Sequence, residues 1–352
     1  MKKVFLLLVA VSVGVLVWAE GPYNLVTRSS ASFIPEGAIN GKAVFSVSPT
    51  KQVFFSMGNL QFCANPSSEP TTHIVQGGET APGVWRFAEH QYDYVGCNAS
   101  PGNVTGSTNN SMSSTYSGWI DVFAWGTSGY LSSSESRNPV YYMPYHYTNP
   151  QDWTTERYGP DHNHQVDLTA SNYDWGYYNA IENGGGDPGY WRVLSRDEWA
   201  YLLGITNSAH TSKRDGASSK WTIANVHGKR GIILLPDALS ASILSSDYGI
   251  SLTMSKYSSP FESVSNDNWA VMESLGVAFL PFCYERNYDL NFYDMPVYWS
   301  ASSGGTGSWD PTMAAPSYVN AWAISVPSSN TPAVASYQRH QGCCVRLVYD
   351  IQ

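Results

Sequence analysis

Charge is scarce in this 352-residue chain: Asp, Glu, Lys and Arg make up 13% of it, about half the usual share of roughly 25%. Basic residues are the scarcer half, 19 Lys and Arg against 28 Asp and Glu, and no basic run follows residue 3. Neutralising phosphates takes clustered Lys and Arg, so nucleic acid is not an expected partner. Long apolar runs are missing after Trp18, and no membrane span is expected beyond the N-terminal segment. Cysteines number five, at 63, 97, 283, 343 and 344. An odd count leaves at least one unpaired. Cys63 with Cys97, and Cys283 with either Cys343 or Cys344, are the pairings considered, and spacing fixes neither. Cys-x-x-Cys and clustered Cys/His ligands are lacking, so a zinc site is not expected.

What is present begins with an export signal. Lys2 and Lys3 precede an apolar run from Val4 to Trp18, and Val17-Trp18-Ala19 fits cleavage after Ala19. The run is shorter than the ~20 residues of a spanning helix. Residues 1–19 are therefore read as a signal peptide, and the protein as exported, to the outer surface, the medium or the periplasm. No Cys follows the cut, which argues against a lipid anchor. Without Lys2 and Lys3 the balance is 17 basic against 28 acidic residues.

Aromatic residues reach 14%, with 13 Trp and 24 Tyr. Beside abundant Ser, Asn and Gly they fit a binding surface, since Tyr and Trp give large contact area at low entropic cost, and equally an extracellular β-rich protein with aromatic strands; composition does not separate the two. Alternating apolar residues from Ala43 to Val47, Val53 to Ser56 and Leu60 to Cys63 read as antiparallel strands. Residues 97–117 read as a surface loop. Ser195-Arg196-Asp197-Glu198 is a capping box. Trp199, Leu202 and Leu203 follow on one face, with Gly204 as the stop. A second helix is expected over about 266–275. Strand-like runs follow at 231–235, 277–282, 297–300, 321–326 and 344–349, so the fold class expected is α+β.

Several segments resemble one family in order along the chain. They include Phe54-Phe55-Ser56-Met57-Gly58-Asn59-Leu60, Trp85-Arg86-Phe87-Ala88-Glu89 and Trp119-Ile120-Asp121-Val122-Phe123-Ala124-Trp125-Gly126. Asp174-Trp175-Gly176, Gly189-Tyr190-Trp191-Arg192-Val193-Leu194-Ser195, Phe279-Leu280-Pro281, Tyr298-Trp299-Ser300-Ala301-Ser302 and Gly342-Cys343-Cys344-Val345-Arg346-Leu347-Val348 continue the series. Together they resemble the Fibrobacter succinogenes major paralogous domain family, abundant in Bacteroidota, over roughly residues 43–350. The resemblance implies a C-type-lectin-like fold over 43–352 behind a linker at 20–42, with two helices packed on short antiparallel strands. It relates the chain to formylglycine-generating enzymes and to the variable proteins of diversity-generating retroelements. It makes Trp191-Arg192, the Tyr-Trp-Ser strand and the last strand scaffold, and it places the C-terminal loops at one end as the ligand surface. The chain departs from the family's small residues at Phe282-Cys283 and Cys343-Cys344.

Three loops carry the expected site. The first, 284–294, offers Tyr284, Arg286, Asn287, Tyr288, Asp289, Asn291, Tyr293 and Asp294. The second, 302–318, offers Trp309, Asp310 and Tyr318. The third, 328–341, offers Tyr337, Arg339 and His340. Rigid rings beside adaptable amides suit a glycan or a protein ligand on another surface. No cofactor is expected. Calcium is considered through Asp289, Asp294 and Asp310, but the lectin Glu-Pro-Asn and Gln-Pro-Asp motifs are missing. His146 with Asp161-His162-Asn163-His164 reads as a solvated loop, and Asn183-Gly184-Gly185-Gly186-Asp187 as a turn rather than a phosphate loop.

The expected function is ligand binding without catalysis. The alternatives are a structural or adhesin component of a surface assembly and, more remotely, an oxidase of the formylglycine-generating kind. That oxidase needs two cysteines meeting in one pocket, whereas Cys343 and Cys344 are strand neighbours pointing to opposite faces.

Overall fold

The computed structural model describes residues 34–40, 43–111, 115–130, 159–160, 165–206, 211–286, 292–293, 296–304, 320–326 and 331–351. Its elements run β1 (Phe45–Ser46), β2 (Gln52–Phe55), β3 (Leu60–Cys63), β4 (Thr72–Ile74), β5 (Thr80–Pro82), β6 (Val84–Phe87), β7 (Gly96–Cys97), β8 (Ser100–Pro101), β9 (Trp119–Ile120) and β10 (Val122–Phe123). Then come α1 (Trp175–Tyr178), β11 (Arg192–Val193), α2 (Arg196–Leu203), β12 (Trp221–Val226), β13 (Lys229–Leu234), α3 (Ala241–Tyr248), β14 (Glu262–Val264) and α4 (Asn266–Ser274). The chain closes with β15 (Ala278–Pro281), β16 (Glu285–Arg286), β17 (Phe292–Tyr293), β18 (Val297–Ser303), β19 (Asn320–Ser325), β20 (Ala333–Gln338), β21 (Cys343–Cys344) and β22 (Leu347–Asp350). This is a strand-rich α+β architecture. No helix among the described residues is long and apolar enough to cross a membrane.

Two sheets organise the layers. One has the order β10-β21-β18-β19-β20 and the other β14-β12-β13-β15. Period-two alternation sorts their side chains into three cores. Along β13, Ile232 and Leu234 join the core between the sheets, with Tyr298, Ile324 and Cys344, while Ile233 joins Trp269, Met272 and Leu244 under α3 and α4. On the far face of the C-terminal sheet, Trp299, Ala321, Ala323 and Cys343 pack with Trp85, Trp125, Trp175 and Trp191. Cys343 and Cys344 thus serve opposite cores. Cys344 is disulfide-bonded to Cys283, 61 residues away, while Cys63, Cys97 and Cys343 are free and buried.

α2 forms where the capping box places it. The Ser195 hydroxyl accepts from the Glu198 amide, Glu198 answers to the Ser195 amide, and Gly204 at φ 71° closes the helix. Glu198 is further fixed by Arg192, whose guanidinium reaches it at 2.7 and 2.8 Å and also grips Asp350 at 2.6 Å. Strand β11, α2 and β22 are thereby tied together. The Gly184–Gly186 stretch is a turn, with the Gly184 carbonyl accepting from the Trp191 indole.

Four expectations need correction. The linker does not run to residue 42, because Ile39 is buried in the first core and its amide bonds the Phe55 carbonyl at 2.9 Å. α-Helices number four among the described residues, since α1 and α3 join the two expected, and a 3-10 turn spans Ala217–Ser219. The Asn/Ser-rich 97–117 stretch is not merely surface: Asn109 is fully buried, its side chain bonded to Asp121. Cys63 and Cys97 are not paired.

Candidate functional site

The register of the C-terminal sheet decides which loops meet. β18 pairs antiparallel with β19, and β19 with β20, while β21 runs parallel to β18. Val297 and Ser325 therefore lie at one end of this meander, and Ser303 and Asn320 at the other. The one-ended patch is corrected at these strand ends, since the described residues flanking the expected loops do not all lie at one end of the sheet.

The third expected loop is corrected too. Residues 333–338 form β20, with six register pairs to β19. Tyr337 packs edge-on against Trp299, ring centroids 6.4 Å apart, and its hydroxyl bonds Ser325 Oγ at 2.8 Å. Burial holds that phenol up at about 12. Arg339 is buried and stacks on Trp125 at 4.3 Å. It donates to Ser303 Oγ at 2.6 Å and to the Pro160 and Asn320 carbonyls at 3.1 and 3.2 Å. A planar guanidinium with five donors suits the carbonyls that strand ends leave over, so Arg339 is a staple rather than a ligand contact. His340 is buried, and desolvation pulls it down to about 4, keeping the imidazole neutral.

In the first loop, Arg286 is also interior. Its amide and carbonyl pair with Gly342 at 2.9 and 2.8 Å, and Nη1 donates to the Asn109 carbonyl at 2.7 Å. Glu285 is buried and accepts from Gln341 Nε2 at 2.8 Å, and desolvation pushes its carboxyl up to about 7. Tyr293 lies in β17, its side chain outside the described residues, as are Asn287, Tyr288, Asp289, Asn291, Asp294, Trp309, Asp310 and Tyr318. The calcium and histidine candidates at 146, 161–164, 289, 294 and 310 lie outside them as well. Among the described residues no cluster of His, Cys, Asp and Glu is placed to hold a metal.

Tyr284 is half-exposed, as Tyr337 is, and it marks a surface that pattern reading missed. Its ring lies 6.4 Å from Tyr94, and Lys229 Nζ sits 5.1 Å over the Tyr94 ring. Next along, His90, Tyr92 and His227 form a three-ring stack with centroids 5.0 and 4.1 Å apart. On the other side, Arg230 lies 5.2 Å over Phe282 and 5.5 Å over Phe261. Three elements build this ridge: the 90–94 segment after β6, the β12–β13 hairpin tip, and the exit of β15 into β16.

The hairpin tip is a two-residue turn, with His227 at φ 49° and Gly228 at φ 73°. That geometry matches the twist of the strands and asks for glycine-like residues at both positions. A histidine there is disfavoured by about 1 kcal/mol, and stacking on Tyr92 offsets it. Such outliers concentrate where a side chain must be aimed. Burial, Asp93 and Glu273 hold the Tyr92 phenol up, so it remains a hydrogen-bond donor. The ridge thus offers ring edges, a phenol donor and the adjacent cations Lys229 and Arg230. The legible signal was Tyr92-x-Tyr94 followed far downstream by His227-Gly228-Lys229-Arg230, and only the fold brings the two together. Compared with family models, curated proteins and solved structures, the chain matches none of them.

Proposed function

We propose that this is an exported cell-surface protein that binds a carbohydrate or protein ligand without catalysis. On this reading its scaffold is C-type-lectin-like and of the Fibrobacter succinogenes major paralogous domain kind. The ridge from His90 to Phe282, continued by Tyr284, is its binding surface. The observation that carries the reading is the contiguity of half-exposed rings and cations around Tyr94 and Tyr284, since contiguous exposed aromatic area marks interaction sites. Tyr faces stack on sugar rings and side chains alike, and the cations meet hydroxyls or carboxylates. Against the oxidase alternative stand Cys283 and Cys344, joined to each other, and Cys343, whose thiol burial pushes well up. Nucleophilic and metal-binding chemistry uses the thiolate.

The test is a glycan array together with pull-down from cell-surface extracts, using the mature chain and a Tyr94→Ala/Tyr284→Ala variant. Binding by the wild type, reduced tenfold or more in the variant at unchanged melting temperature, supports the reading. Equal binding by both chains would sink it.

A further inference from the structure

Every sheet edge among the described residues except one is short or covered. β1, β10 and β11 are two residues long, and β14 has three, with the Lys256–Glu262 ion pair beside it. β15 is sealed by Gln91, which accepts from the Phe279 amide at 2.8 Å and donates to the Val277 carbonyl at 3.0 Å. The exception is β20, which is capped only at its last residue, where Gln341 Oε1 accepts from the Gln338 amide at 2.8 Å. It closes the five-stranded sheet, and among the described residues no strand pairs with its outer edge. Its sequence, Ala-Val-Ala-Ser-Tyr-Gln, has no charge, no proline and no bulge over six regular pairs. Charges, prolines, bulges and shortness are the means by which proteins keep edges from pairing. β20 has none of them, and Ser336 on it is exposed.

We infer that β20 is a self-association edge, pairing antiparallel with β20 of a second copy across a two-fold axis to form one continuous ten-stranded sheet. A copy of the same chain is the favoured occupant for two reasons. The chain is acidic, with a net charge of -9, and an uncharged strand is where two such chains approach without direct like-charge contact. The strand is also self-complementary. Opposite residues of an antiparallel pair share a face, so the axis passes through Ala335 or Ser336. Either register sets Tyr337 of each copy opposite an alanine of the other, Ala333 or Ala335, a large residue against a small one. A two-fold interface closes at the dimer and uses up both open edges.

The experiment is sedimentation velocity on the mature chain over a range of concentrations, with Ser336→Lys as the disrupting variant. In either register the two introduced ammonium groups are opposite or diagonal neighbours, where like charges destabilise the pair. Ala335→Cys and Ser336→Cys are oxidised separately and run without reductant, the native free thiols Cys63, Cys97 and Cys343 being buried. The expected result is a wild-type dimer, a monomeric Ser336→Lys variant with an unchanged circular-dichroism melt, and a disulfide-linked dimer from one of the two cysteine variants. A wild type that is monomeric at every concentration overturns the inference. So does a dimer that survives Ser336→Lys, or one that cross-links at neither position, which would place the contact elsewhere. Should the lysine variant not fold, the cysteine pair decides alone.

Discussion

Glu285 makes a carboxyl in a nearly dry site, and its removal has a pH signature calculable from its surroundings. Desolvation pushes the folded-state value up to about 7, against about 4.3 in an unfolded chain. Below pH 4 both states hold the proton, and the group has no effect on stability. Between the two values the unfolded chain ionises while the folded one does not, so stability falls as pH rises, by about 1.4 kcal/mol per unit. Above about 7 the loss levels off at roughly 4 kcal/mol. Glu285→Gln keeps an oxygen to accept from Gln341 but cannot ionise. The variant should match the wild type at pH 4 and exceed it by up to about 4 kcal/mol at pH 8. For a folded unit of this size that is about 5 °C in melting temperature. Differential scanning calorimetry at half-unit pH steps reads the difference curve directly. A variant destabilised equally at all pH values, or one whose advantage is greatest at pH 4, refutes the reasoning.

Other outcomes follow from the same contacts. Cys283→Ala/Cys344→Ala opens a closure spanning 61 residues and should lower unfolding free energy by about 4 kcal/mol in urea titration; a loss under 1 kcal/mol contradicts the bridge. Tyr337→Ala should cost about 2–3 kcal/mol through the lost Trp299 contact, and Tyr337→Phe about 1 kcal/mol through the Ser325 bond. Retained thermal stability in the alanine variant would return Tyr337 to the ligand surface.

Local signals with a fixed spacing were readable from the chain. The Ser195–Glu198 capping box and the runs at 52–55, 60–63 and 278–281 describe elements whose side chains act within a few residues of themselves. What stayed hidden depends on distant partners. β20 is written in small residues, Ala333, Ala335 and Ser336, whose alternation carries little hydrophobic contrast, so it passes for a polar loop. α3 is serine-rich, and Leu244 is its one fully buried residue. Arg286 and Arg339 look like surface charges because nothing in their own stretch announces the Asn109 carbonyl or the Trp125 face that receives them. The ridge is a tertiary juxtaposition, joining residues near 92 to others near 228 and 284. Alternation could supply the strands, but not which loops emerge at the same end.

The most direct measurement is hydroxyl-radical footprinting of the mature chain, free and with a ligand captured from the array or pull-down. The account predicts that Tyr94 and Tyr284 lose reactivity on binding while Tyr337 reacts weakly in both states. Protection concentrated elsewhere in the chain, with Tyr94 and Tyr284 unchanged, contradicts it.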